Sequence, residues 1–103
     1  MPDITRQEPI SWNYLNITAG QTTTVVKASP GILHAIIFNS AATVTNTTNI
    51  YDNASGSGTI ISTPNAVAAT VLPIVITFDA FFTLGLTIIT ATANGPNMTV
   101  LYK

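Results

Sequence analysis

Five side chains in this 103-residue chain have the chemistry for acid–base work: Asp3, Glu8, His34, Asp52 and Asp79. General acid–base catalysis needs such a group held against a reacting proton, usually beside a second group that tunes it. Asp3 and Glu8 fall in a polar N-terminal stretch. Asp52 closes a short apolar run before Asn53–Gly58, and Asp79 closes another. No spacing in the sequence brings two of them together. Aspartates in such places cap turns by accepting backbone N–H groups, and that is how Asp52 and Asp79 read. His34 lies inside the most apolar run. A lone imidazole in a chain without cysteine is a poor start for a metal site, which takes three or four ligands. It reads as a half-buried histidine bonded to backbone, or as one at a subunit interface.

Other motifs add little chemistry. Gly56-Ser57-Gly58 is not a nucleophile elbow, and no P-loop, dinucleotide fingerprint or EF-hand loop is present. Asp52–Gly56 offers one carboxylate among neutral oxygens, too little for firm Ca²⁺ binding. Sequons begin at Asn16, Asn46, Asn53 and Asn97, as expected of a chain with 18 threonines and nine asparagines. They read as composition, because no signal peptide opens the chain. No catalytic, metal or cofactor-binding residues are assigned, and an enzyme ranks last among the functions considered. The residues singled out are Pro9, Trp12 and Tyr14, as candidate protein-interface positions. Trp12 and Tyr14 share a strand face, suited to core packing or to an interface, with sugar stacking behind both.

The scaffold that must hold these residues is β throughout. Thr, Ile and Val account for 38 residues, and such β-branched side chains favour a pleated surface. Charged residues make up 7%, against roughly 25% in an ordinary soluble domain. The net charge of −1, with its cations scattered, argues against nucleic acid as a partner. No apolar run is long enough for a membrane helix. Residues 1–10, with Pro2 and Pro9, read as an extended arm, and 11–103 as a single β-sandwich domain.

Along the chain the alternation predicts about eight short strands. Residues 11–18 form the first, with Trp12, Tyr14, Asn16 and Thr18 on one face and Asn13, Leu15 and Ile17 on the other. Thr22–Ala28 and Ile32–Asn39 are joined by Ser29-Pro30-Gly31 and read as a hairpin. Asn49–Asp52 pairs with Thr59–Ser62 across a Gly/Ser loop. The segment 63–72 reads as loop or helical turn. A strand at 73–79 is followed by a connection or bulge at 80–83, then strands at 85–90 and 98–103, with a turn at 93–97. Either a jelly-roll-like or an immunoglobulin-like strand order fits this spacing.

The stretches Thr24–Asn39, Ile50–Gly56, Phe82–Ile89 and Thr99–Lys103 resemble small virion structural proteins of tailed bacteriophages, over about residues 20–103. The resemblance implies a β-sandwich that decorates or cements a capsid, often as a trimer, or serves in a tail or fibre. It implies no catalytic residues. The expected function is therefore a decoration protein, made in the host cytoplasm and carried on the virion. Its partners would be copies of itself, with a trimer favoured, and the major capsid protein or other virion proteins. A tail or fibre component and a host-glycan-binding module are the alternatives.

Overall fold

The computed structural model describes residues 11–18, 22–40, 46–66, 73–90 and 96–103. Among them run nine strands: β1 (Asn13–Ile17), β2 (Thr23–Lys27), β3 (Gly31–Phe38), β4 (Asn46–Asp52), β5 (Thr59–Ser62), β6 (Asn65–Ala66), β7 (Ile74–Phe82), β8 (Leu86–Thr90) and β9 (Met98–Tyr102). They form two antiparallel sheets. The first has the order β1-β9-β3-β7. The second has β2-β8-β4-β5, with the two-residue β6 also pairing with β4. The chain is all-β, a β-sandwich.

The pairings nest: β1 with β9, β2 with β8, β3 with β7, and β4 with β5. Each turn of this nest alternates between the sheets. That is the jelly-roll strand order, two interleaved Greek keys.

The core follows from period-2 alternation. Ile17, Leu33, Ile36, Phe38, Phe82, Met98 and Val100 of the first sheet meet Ile50, Leu86 and Ile88 of the second, all buried. Val26, Ile61, Ile76, Phe78 and Tyr102 pack at the margin. β3 is apolar on both faces because it is central, flanked by β9 and β7. Thr48 and Thr90 are buried on the core side of β4 and β8, so threonine serves here partly as a core residue, whereas Thr87 is buried on the opposite face of β8.

Three expectations are corrected. β2 and β3 do not form a hairpin. β2 pairs with β8 in one sheet, and β3 with β7 and β9 in the other. Ala28–Pro30 is an arch between layers, and Gly31 is already the first residue of β3. Residues 80–82 are not a connection, because β7 runs through to Phe82. Its irregularity lies earlier, where Phe78 and Asp79 together oppose His34, between the pairs Ala35↔Thr77 and Leu33↔Ala80. Asp79 takes a positive φ of 49° there. Within 63–72, Asn65 and Ala66 are strand, and 67–72 lie outside the described residues, as do the arm 1–10 and most of the 93–97 turn.

Candidate protein-binding face

Among the described residues, no other layer covers the outer face of the first sheet. Alternation on β1 turns Ile17 into the core and Trp12, Tyr14 and Asn16 outward. The register then lays rows across the sheet. Tyr14 stands beside Leu101, Ala35 and Thr77, and Asn16 beside Thr99, Ile37 and Val75. Ile32 stands beside Phe81. Tyr14 is 69% exposed, Val75 56% and Phe81 75%. On the Asn16 row, Asn39 Nδ2 donates to Thr99 Oγ1 (2.9 Å), which donates to Asn16 Oδ1 (2.7 Å). The second sheet differs, because its own 53–58 loop folds onto it. Thr87 Oγ1 donates to the Asn53 carbonyl at 2.8 Å, and the Ile89 side chain lies against Gly56.

At one end of the first face, four side chains converge. The Trp12 and His34 rings stack, with centroids 4.4 Å apart and planes within 3°. Lys103 Nζ sits 6.0 Å from the Trp12 ring centre. His34 Nδ1 meets Asp79 Oδ1. The pairing exists because of the β7 bulge: the extra residue turns Asp79 toward the histidine across the strand pair. The expected cap on Asp79 is therefore replaced by a side-chain partner 45 residues away. His34 is half-buried as expected, but bonded to a carboxylate rather than to backbone. Among the described residues no group of three His, Cys, Asp or Glu side chains is placed to hold a metal ion.

The same end carries a second rigid feature. Asp52, at the end of β4, accepts the backbone N–H groups of Thr83 (2.9 and 3.0 Å) and Leu84 (2.8 Å), and the Thr83 hydroxyl (3.1 Å). The Leu84 N–H, then that of Thr83, holds the carboxyl below its ordinary aspartate value. Asp52 is thus a turn cap, and its oxygens are engaged by N–H groups rather than arranged for Ca²⁺. Gly85 closes the turn in tight quarters: a Cβ there would lie 2.8 Å from the Lys27 carbonyl oxygen and 2.9 Å from the Ala54 nitrogen. The fixed turn presents Leu84, 60% exposed, close in sequence to Phe81. Rigid apolar side chains on a fixed frame are the anchors that interfaces use, since little entropy is lost when they dock.

Of the sequence-derived candidates, Trp12 and Tyr14 both lie on this face, Trp12 stacked and half-buried, Tyr14 open. Pro9 lies outside the described residues. Sequence reasoning missed Val75, Phe81, Leu84 and the partnership of Asp79 with His34. The signal for Asp79 was the β3–β7 pairing itself, which no local pattern announces. The described charges also gather at this end: Lys27, Asp52, Asp79 and Lys103 are at or near strand ends there. The other half of the sandwich has no charged side chain among the described residues. The chain matches no family model, and neither curated proteins nor solved structures give a match to it.

Proposed function

We propose that this chain is a non-enzymatic virion structural protein that binds an assembled capsid and reinforces it. The observation that carries the reading is the outer face of the β1-β9-β3-β7 sheet, which no other layer of the described residues covers and from which Tyr14, Val75 and Phe81 stand out. Exposed aromatic and aliphatic side chains on an open sheet face are of the kind that interfaces bury. The jelly-roll order supports the reading by analogy, being common in capsid proteins. The resemblance of residues 20–103 to tailed-phage virion proteins supplies the context.

The mechanism is bridging. Each copy contacts neighbouring shell subunits through this face, so disassembly must break extra contacts. A ligand that binds only the assembled state stabilises it by mass action. The test is heat-induced DNA release from particles with and without the chain. A higher release temperature in its presence supports the proposal, and equal midpoints contradict it. The glycan-binding alternative loses one platform, because the His34 ring already covers a face of Trp12.

A further inference from the structure

Strand β7 is an edge. Among the described residues its sole strand partner is β3, leaving one side of its backbone without a ladder. Natural edge strands are guarded by charges, prolines, bulges or shortness. β7 has its guards only at the limits of one segment. Pro73 precedes the strand and cannot donate a hydrogen bond, and Asp79 brings both the charge and the positive-φ bulge. Between them Ile74-Val75-Ile76-Thr77-Phe78 holds no charge, no proline and no glycine. None of the five is buried. The segment also lies in the half of the sandwich without described charges.

We infer that Ile74–Phe78 pairs with the same segment of a second copy of this chain, antiparallel about a two-fold axis through Ile76. The register follows from geometry. Opposed residues in an antiparallel pair share a face, so a two-fold normal to the sheet must place a residue opposite its own symmetry mate. Centred on Ile76, the pairing sets Ile74 against Phe78 and Val75 against Thr77. Those are β-branched–aromatic and β-branched–β-branched pairs, the favourable kinds. Centred on Thr77, it would draw the bulged Asp79 into the ladder opposite Val75, against its backbone. A second copy is the favoured occupant because the segment is its own complement in this register and offers no charge to select another partner. The contact is isologous and closes at two copies, in place of the three that the resemblance implies. Five residues a side make a small interface, so the dimer belongs to the weak, concentration-dependent class, with a dissociation constant on the order of micromolar.

The chain has no cysteine, so an introduced thiol reports on pairing alone. Residues directly opposed across antiparallel strands have Cα atoms about 4.5–5.5 Å apart, within disulfide range, and diagonal neighbours do not. Ile76→Cys is expected to form a covalent dimer under mild oxidation, while Thr77→Cys stays monomeric. In sedimentation, the unmodified 10.8-kDa chain is expected to shift from monomer to dimer with rising concentration. Val75→Lys/Thr77→Lys should abolish the shift, and Phe81→Lys, beyond the bulge, should leave it intact. A chain that stays monomeric up to about a hundred times the expected micromolar constant, or forms trimers, overturns the inference. Equal crosslinking by both cysteine variants overturns the register.

Discussion

The carboxylate of Asp52 accepts the backbone N–H of Thr83, 31 residues on, and so pins the turn that carries the chain from the first sheet to the second. The bond joins the end of β4 to the link between β7 and β8, two elements the sequence separates widely. The aspartate's pKa is depressed in the folded state. Its contribution to stability is therefore complete above the ordinary aspartate value and is lost as pH falls through the lowered one. Asp52→Asn is expected to lower the thermal midpoint at neutral pH. It should also flatten the loss of stability on acidification, measured by circular dichroism melts across the acid range.

Ile36 is wholly buried at the centre of β3, facing Val100 and Ile76 on the neighbouring strands. Ile36→Ala removes three methyl or methylene groups where strands on both sides prevent collapse. A loss of about 2–5 kcal/mol is expected in urea unfolding, with an unchanged slope.

Thr48 is buried on the core side of β4, and its Oγ1 has no hydrogen-bond partner among the described residues. A buried hydroxyl without a partner costs more than the methyl that would replace it. Thr48→Val is expected to raise stability by roughly 1 kcal/mol in the same unfolding experiment. A loss of that size would mean that the hydroxyl is bonded after all.

Gly85 and Gly56 separate two kinds of crowding. A Cβ at Gly85 would meet backbone atoms of Lys27, Ala54 and Asn53, at 2.8–3.0 Å, and none of these yields easily. A Cβ at Gly56 would meet the tip of the Ile89 side chain, which can change rotamer. Gly85→Ala should cost about 1–3 kcal/mol, and Gly56→Ala clearly less, in parallel thermal melts.

The strands were legible in the sequence because period-2 alternation is local. Leu15 and Ile17 face inward and Trp12, Tyr14 and Asn16 outward, as the pattern of residues 11–18 demands. The return of Thr59–Ser62 onto Asn49–Asp52 was legible too, since a Gly/Ser loop of that length permits a neighbouring partner. What was not legible is everything that depends on which strand meets which. Ser29-Pro30 signals a reversal of the chain, but the same residues serve a hairpin and an arch between layers. Only the pairing distinguishes them, because β3 takes β9 and β7, both distant in sequence, as its neighbours and leaves β2 to the other sheet. The His34–Asp79 contact fails for the same reason. It needs a pairing across 45 residues and a bulge of one residue, and neither leaves a local mark.

Capsid reinforcement requires that the outer face of the first sheet meet a shell. The direct measurement is co-sedimentation of the purified chain with tailed-phage heads assembled without it. Saturable binding is expected, with Tyr14→Lys/Phe81→Lys bound at least tenfold more weakly while keeping the parent's melting behaviour. Heads that pellet without the chain at any concentration, or that hold both versions equally well, would contradict it.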